Sequence, residues 1–355
     1  MLILQGANML ISRNRHRAQE QGVALIMVVF VVALASIVIV ELTRSTWLSA
    51  RRSAMLSNQL QAEYILKSAL NFSRKLISLK HSLPAAAAAE ALPDPLAIFA
   101  NGAPIPPALL GIEQPGLLLE LEVRPEDSRL RLDLLGPQGN INLWGPVFKR
   151  LFTILGFDKD EEPDESGMFP DKVFSPEELV GVLIDAMDAD TETLSSYPFA
   201  RGIEGDLPAG QRFPNERLTA VEDLRGLPGF TANRLKKLSP LLTTRGKFKV
   251  NVNRASAEVL MALHDEIDQE VAARIITSRT DTEFKRPAWP DSFSTIVGAN
   301  VWAEISTMVD IESTWYQIIA KVDYGGNSRF FLRSSVFENP GVPGEMPQIN
   351  TLELY

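Results

Sequence analysis

Cysteine is absent from the 355-residue sequence, which excludes disulfide bonds, thiolate metal sites and catalytic thiols. Histidine occurs three times, at positions 16, 81 and 264, too far apart in the sequence to indicate a zinc or histidine-based catalytic cluster. A positive balance of charge is missing as well, because the formal net charge is −9. Proteins that neutralise phosphates usually carry a basic face, so the composition argues against nucleic acid as the main partner.

Glycine and proline are both absent from residues 23–80, which predicts one continuous helix of roughly 85 Å. Its first part, Val23–Val40, contains a single polar side chain, Ser36, and would cover roughly 27 Å, close to the ~30 Å hydrocarbon thickness of a bilayer. A secretory signal would have a shorter apolar core and a small-residue cleavage site, and a buried core helix is rarely so long and apolar. The sequence therefore predicts a retained transmembrane anchor. Arginines flank it equally on both sides, so charge alone gives no orientation.

The remainder of the helix is amphipathic, and a linker rich in alanine and proline follows over residues 81–116. Period-two alternation then predicts a first β-hairpin from residues 116–125 and 128–136. A second hairpin is predicted from residues 315–323 and 328–337, joined by "YGGN". A lone two-stranded ribbon is marginal in water, so we expect both hairpins to share one sheet.

Between the hairpins, five segments show the 3.6-residue period of helices. Ser175, Thr219, Thr231 and Ser256 are their predicted N-caps, and Glu178 completes a capping box with Ser175. The predicted fold is α+β, with a long N-terminal helix packed on a small antiparallel sheet and a large helical domain inserted between strands. The predicted boundaries are a leader at 1–22, the N-terminal helix at 23–80 with its membrane span at 23–40, a discontinuous β domain at 81–139 and 311–339, the helical insertion at 140–310 and a tail at 340–355.

This combination resembles type IV pilin-like precursors: a short charged leader ending in glycine, an apolar helix beginning at the next residue, an amphipathic continuation and a sheet. The phrases "NINLW", "LIDAMDADTE", "LTAVEDLRGLPGF" and "VNVNRASAEVLMAL" resemble, more narrowly, the minor pseudopilin K family of type II secretion. The resemblance covers the chain from Gln21 to about Phe337. It implies an antiparallel pilin-like sheet with a helical insertion, as the residue patterns also predict.

The same resemblance implies cleavage by a prepilin peptidase between Gly22 and Val23, with methylation of the new amino terminus at Val23. The leader would then face the cytoplasm and the head the periplasm, on a single-pass inner-membrane anchor. The start of the leader is open between Met1 and Met9, and Met9 gives a leader more like the family's. The family usually has phenylalanine and glutamate at the first and fifth mature positions, which here hold Val23 and Met27.

The missing carboxylate at Met27 bears on assembly. In pilins that glutamate is thought to meet the amino terminus of a neighbouring subunit, because a charge in an apolar helix is costly unless paired. The resemblance therefore implies a non-enzymatic cap at the tip of a periplasmic pseudopilus that limits its length during export. The implied partners are minor pseudopilins I and J, other pseudopilins and the prepilin peptidase. A minor pilin with an adhesive or DNA-uptake head, and an anchored protein that is never processed, are the alternatives.

"LRGLPGFTANRLKKL" also resembles a helix-hairpin-helix unit, a module that binds DNA phosphates through backbone N–H groups. A second copy has the acids of "HDEID" where a phosphate would sit, and residues 158–192 are strongly acidic. Such a surface repels a polyanion, so we interpret these units as packing modules and expect no nucleic acid partner.

Asp185, Asp188, Asp190 and Glu192 are candidate oxygen ligands for a hard cation such as Ca²⁺. Their spacing does not match an EF-hand loop, and acids that end a helix and cap the next turn are the alternative interpretation. Calcium stabilises pseudopilin domains, so the resemblance implies a structural Ca²⁺ ion without assigning its ligands. No other cofactor is expected. No nucleophile accompanied by a base and no phosphate loop occurs in the sequence, so no catalytic residues are predicted.

Overall fold

The computed structural model describes residues 3–82, 96–100, 102–106, 108, 111, 116–194, 197–324, 328–339, 341–342 and 344–355, with side chains from Leu25 onward except at 81, 82 and 97. The predicted turn at 325–327 and most of the linker lie outside the described residues, and the surroundings of Gly22 and the side chain of Val23 are likewise outside the described part. The chain divides into two compact units, Met1–Ile65 and Leu66–Tyr355.

The first unit contains most of helix α1, which runs over Ile3–Ser82. Its apolar segment is long enough to cross a membrane, with a mean hydropathy of 3.0 in the most apolar 18-residue window and none of that window buried. Every described side chain from Leu25 to Val40 is exposed. Ser36, the polar exception, donates its hydroxyl to the Val32 carbonyl at 2.8 Å. An apolar surface that is exposed all round is typical of a helix solvated by lipid.

The second unit is built on a five-stranded antiparallel sheet in the order β1-β2-β7-β8-β9. Its strands are β1 (Ala103–Ile105), β2 (Leu117–Pro125), β7 (Trp315–Tyr324), β8 (Arg329–Phe337) and β9 (Gln348–Leu354). One face is buried, because alternate residues such as Leu121, Ile318 and Leu332 are almost inaccessible. The last turns of α1 belong to this unit, and Ser78 donates its hydroxyl to the Gly344 carbonyl at 2.8 Å.

The second predicted hairpin is confirmed, since β7 and β8 pair from Trp315–Phe337 to Asp323–Arg329. The prediction of the first hairpin is wrong, because its two strands do not pair with each other. Strand β2 pairs with β7 over nine residues, from Leu117–Tyr324 to Pro125–Tyr316. The stretch after β2 forms two short 3₁₀ helices and a two-residue strand, β3 (Leu130–Arg131), parallel to β4 (Leu242–Thr243).

The alternation of apolar and polar residues in 128–136 does not indicate a strand of the sheet, because its leucines pack in a different hydrophobic core. Leu130, Leu132 and Leu134 are buried in the hydrophobic cluster of the helical insertion rather than on the sheet. The expectation that both hairpins share one sheet holds only in part: β3 pairs with β4 in a separate sheet, whereas β2, β7 and β8 lie together in one. Two paired neighbours in that sheet are therefore separated in the sequence by the whole insertion.

The insertion contains seven helices among the described residues: α2 (Ile141–Ile154), α3 (Pro176–Met187), α4 (Ala232–Leu238), α5 (Ala257–Leu263), α6 (Gln269–Asp281), α7 (Trp289–Val297) and α8 (Ala299–Ile305). Two further short strands, β5 (Val250–Asn251) and β6 (Val309–Asp310), pair in parallel. A single hydrophobic cluster joins these elements, including Phe148, Phe152 and Leu183. The helices thus enclose a core of their own.

Three predicted N-caps are confirmed. Ser175 accepts the Glu178 N–H and Glu178 returns the bond as a capping box, while Thr231 and Ser256 cap α4 and α5. Thr219 is not a cap: its hydroxyl donates to the Asp223 carboxylate at 3.0 Å, and the helix that follows is a 3₁₀ helix over Val221–Gly226.

The segment after residue 340, predicted to be a tail, contains β9. This strand pairs with β8 from Leu332–Leu354 to Phe337–Gln348, with an irregularity between Ser335 and Val336. The C-terminal residues are therefore part of the sheet.

Candidate functional site

An acidic cluster lies where α3 ends. Asp188 is the C-cap of α3, and its carboxylate lies with those of Asp190 and Glu204 so that one oxygen of each is within 4.8 Å of the others. Two of the four candidate ligands named from the sequence, Asp188 and Asp190, therefore come together. Glu204 was not predicted as a ligand, because a loop separates it from Asp190 and no sequence motif relates the two residues.

The other two candidates have different surroundings. Asp185 is fully buried, and its carboxylate accepts three backbone N–H groups, from Leu194 at 3.0 Å, Ile203 at 2.8 Å and Glu204 at 3.1 Å. It holds the loop that carries Glu204 against the end of α3. Glu192 is exposed, and its backbone N–H donates to Asp190 Oδ1 at 2.8 Å.

Burial and mutual repulsion oppose ionisation in this cluster. Burial, followed by repulsion from Asp190, Asp185 and Glu204, raises the pKa of Asp188 from 3.8 to about 7. The pKa of Glu204 is also raised, mainly by burial, although a bond from Asn215 acts in the opposite direction. Carboxylates in such a setting either hold protons or share a cation.

Asn215 completes the cluster. Its backbone is left-handed, with φ of 48°, and its side-chain nitrogen donates to the Asp190 carbonyl and to Glu204 Oε1. Asn215 Oδ1, Asp188 Oδ1 and Glu204 Oε2 are buried, and none has a hydrogen-bond partner among the described residues. A set of carboxylate and amide oxygens with free lone pairs fits a hard cation such as Ca²⁺.

The two ends of the insertion meet in a buried polar junction. Asp127, just after β2, accepts the N–H groups of Thr314 at 2.7 Å and Trp315 at 3.0 Å, and also that of Lys247. Beside it, the Asn251 side chain donates to Ser313 Oγ at 2.7 Å. Both amides of the phrase "VNVN" are used in this way, because Asn253 donates to the carbonyls of Phe284 at 2.9 Å and Ile311 at 3.3 Å.

N–H groups of the helix-hairpin-helix unit donate hydrogen bonds to carboxylates of the same chain. The Gly229 N–H donates to Asp164 Oδ1 at 2.8 Å, and the Ala232 N–H donates to Glu165 Oε2 at 2.8 Å. The Thr231 hydroxyl donates to Glu162. Carboxylates of the 158–165 loop therefore accept from the type of N–H group that this module presents to phosphate.

The same unit is fixed from inside by a charge pair. The Arg234 side chain is completely buried, pairs with Asp160 and donates to the Gly229 carbonyl at 2.9 Å. Its guanidinium lies 5.1 Å from the centre of the Phe157 ring. These contacts fit the interpretation of the unit as a packing module.

A long apolar helix, an antiparallel sheet and a helical insertion between two paired strands define a pilin-like α+β protein, and the predicted fold class is confirmed. Residues 250–289, which include the "VNVN" junction, match the family model described as type II secretion system (T2SS), protein K. The predicted resemblance to the pseudopilin K family is thereby confirmed.

Two known proteins are similar to larger parts of the chain than the family model covers. The type II secretion system protein K of Aeromonas hydrophila is 26% identical over 170 residues, or 44% of this chain, and the match spans about half (49%) of the relative. A chain in the crystal structure of the GspK-GspI-GspJ complex of the enterotoxigenic Escherichia coli type 2 secretion system has a similar fold. Its TM-score is 0.58 at 15% identity, with 86% of this chain and 99% of that chain covered.

Proposed function

We propose that this protein is a minor pseudopilin at the tip of the periplasmic pseudopilus of a type II secretion system. The observation that carries the proposal is the large helical insertion between paired strands β2 and β7, in a chain whose fold matches a subunit of a GspK-GspI-GspJ complex. The anchor holds the protein in the inner membrane, with the head in the periplasm, and its partners are minor pseudopilins I and J.

In this proposal the role is mechanical rather than enzymatic. Hydrophobic packing of helices joins the tip subunits, and the insertion enlarges the head so that no further subunit stacks above it. Met27 supports the capping role, because the apolar helix lacks the carboxylate that would pair with a subunit above. If capping depends on this position, Met27→Glu will lengthen pseudopili seen by electron microscopy. An unchanged length distribution would remove Met27 from the argument.

Maturation follows the pilin pattern in this proposal. A prepilin peptidase cleaves after Gly22, and Val23 becomes the N-methylated first residue. Because this cleavage takes place on the cytoplasmic side of the inner membrane, it also places the head in the periplasm.

A structural Ca²⁺ ion at Asp188, Asp190 and Glu204, with Asn215 as a fourth oxygen donor, is a further part of the proposal. The ion would offset two of the three negative charges of these carboxylates and join the end of α3 to two loops of the insertion. Its role is stability of the head.

A minor pilin of a type IV pilus, with an adhesive or DNA-uptake head, is the alternative function. The internal carboxylates on the helix-hairpin-helix unit disfavour DNA uptake, because they occupy its N–H groups. The deciding experiment is co-purification of the full-length protein, extracted in mild detergent, with tagged pseudopilins I and J from the same genome. A stable ternary complex supports the tip assignment, and recovery with pilus subunits alone rejects it.

A further inference from the structure

A cleft of about 460 Å³ lies between one face of the sheet and the helical insertion. Its floor is a row of polar side chains that are neighbours in register across four strands: Arg124 on β2, Gln317 on β7, Ser335 on β8 and Thr351 on β9. Its walls come from the insertion, at residues 219–222 and 236–245.

The cleft is richer in cations than the protein as a whole. The basic residues that line it are Arg124, Arg129, Lys236, Arg245 and Arg333, against the acids Glu126, Glu222 and Glu353. This surplus occurs in a chain with a net charge of −9. A local positive field attracts anionic partners and repels cationic ones.

Three of these cations are neutralised within the fold. Arg129 pairs with Glu126 at 2.8 Å, Arg333 pairs with Glu222 at 3.3 Å, and Arg124 pairs with Glu122.

The other two, Lys236 and Arg245, have no carboxylate partner among the described residues. Arg245 donates to Asn350 and lies 5.8 Å from the centre of the Trp315 ring, while Lys236 is exposed. Two positive charges are therefore left for a ligand.

The floor also keeps unused hydrogen-bonding capacity. Arg129 Nε and Ser335 Oγ are buried, and neither has a partner in the described part of the chain. Ser335 as a whole is 6% exposed. A buried polar atom without a partner is destabilising, and a ligand that shifts the floor slightly would supply acceptors.

A second, apolar depression of about 270 Å³ adjoins the cleft through Val221 and Lys236. Leu235 and Ala232 line it further on. A free phosphate or other small anion would use the cationic cleft alone. A peptide that carries carboxylates next to an apolar side chain would use both parts, with Lys236 at the boundary.

We propose that this joint surface, formed by the cationic cleft and the adjoining depression, binds an extended acidic segment of a partner protein. Carboxylates of the segment pair with Lys236 and Arg245, and an apolar side chain enters the depression beside Leu235. The assignment does not depend on the secretion role, because it rests on the charges and the shape of the head.

The test uses the full-length protein in detergent and a fluorescein-labelled decapeptide in which aspartate alternates with leucine, followed by fluorescence anisotropy. We expect saturable binding that weakens as NaCl is raised. The double change Lys236→Ala with Arg245→Ala should raise the Kd about tenfold or more, which is the loss of affinity expected for two ion pairs. The matched control, Arg212→Ala with Lys249→Ala, removes two exposed cations elsewhere and should leave the Kd within about twofold.

Peptides of alternating lysine and leucine, and of alternating aspartate and serine, test charge and apolar contact separately. Both should bind more weakly than the aspartate–leucine peptide by about tenfold. Equal binding of the lysine peptide, equal weakening by the control variant, or no binding at all would overturn the proposal. If the aspartate–serine peptide bound equally well, or if millimolar inorganic phosphate displaced the aspartate–leucine peptide, the cleft would be a small-anion site. Either result would reject the proposal of a peptide-binding site. Lys236→Ala alone, at an exposed side chain, covers the case in which the double variant does not fold.

Discussion

Asp127 Oδ2 accepts the backbone N–H of Thr314 at 2.7 Å, although 187 residues separate the two in the sequence. Asp127 follows the last residue of β2 closely, and Thr314 immediately precedes β7. The bond closes the insertion at its base, where the chain leaves the sheet and returns to it. A helical domain can therefore be inserted while the two flanking strands stay paired.

Replacement of Asp127 by alanine should destabilise the head. Three backbone N–H groups, of Lys247, Thr314 and Trp315, would lose their acceptor; Thr314 is buried and the other two residues are half-buried. A buried donor left without a partner costs about 1–3 kcal/mol, so we expect a loss of about 3 kcal/mol or more. Thermal unfolding followed by tryptophan fluorescence measures it. Asp281→Ala, at an exposed site, should change the stability by less than about 0.5 kcal/mol.

Calcium should stabilise the head, and Asp188→Asn should abolish most of that effect. The substitution removes one charged ligand while it keeps the size of the side chain, so we expect Ca²⁺ affinity to fall at least about tenfold. Isothermal titration calorimetry on protein treated with EDTA gives the affinity. Glu192→Gln is the matched control, because Glu192 lies outside the cluster. Equal losses in both variants would contradict the assignment of the ligands.

The stability of the metal-free head should fall as pH rises. Asp188 has a pKa of about 7 in the folded protein against 3.8 normally, so the folded state binds more protons than the unfolded state between these values. The free energy of unfolding then decreases as pH increases from about 4 to about 7 and levels off above. Melting temperatures at pH 5, 6, 7 and 8 in EDTA test this. Saturating Ca²⁺ should remove the decrease, and a decrease that persists in Asp188→Asn would assign it to other groups.

Gly181 of α3 should not tolerate a side chain. A Cβ at this position would lie 1.9 Å from the Arg201 carbonyl oxygen, which is backbone and cannot rotate away. We expect Gly181→Ala to cost about 3 kcal/mol, the upper range for overpacking, and to displace the loop before Glu204 so that Ca²⁺ binding weakens as well. In Gly226→Ala no heavy atom lies within 4 Å of the new Cβ, so that variant should melt close to the parent.

Gly22→Trp should leave an unprocessed precursor in the inner membrane. A prepilin peptidase that cleaves after a small residue will not accept a bulky side chain at the scissile bond, so the leader stays attached. Intact mass spectrometry of the detergent-extracted protein measures the outcome. Ile11→Trp, within the leader for either start and away from that bond, should still be shortened. A normally shortened Gly22→Trp protein would contradict the cleavage site.

Much of the local structure could be predicted because local rules govern it. The caps at Ser175, Thr231 and Ser256 depend on residues three positions apart, and the β7–β8 hairpin depends on alternation across a short turn. The candidate site could be predicted only in part. Asp188 and Asp190 are neighbours in the sequence, whereas Glu204 and Asn215 arrive by loops whose course depends on Asp185 and Gly181.

The sequence by itself determined the long apolar N-terminal helix, the α+β class and the presence of a helical block between strands, because length, hydropathy and periodicity act along the chain. Only the tertiary structure decided that β2 pairs with β7, that the leucines after β2 enter the helical core, and that residues of four strands and the insertion form one cationic cleft. Each of these depends on contacts between segments about a hundred or more residues apart. Such contacts are selected by the burial of matching surfaces, which no local pattern encodes.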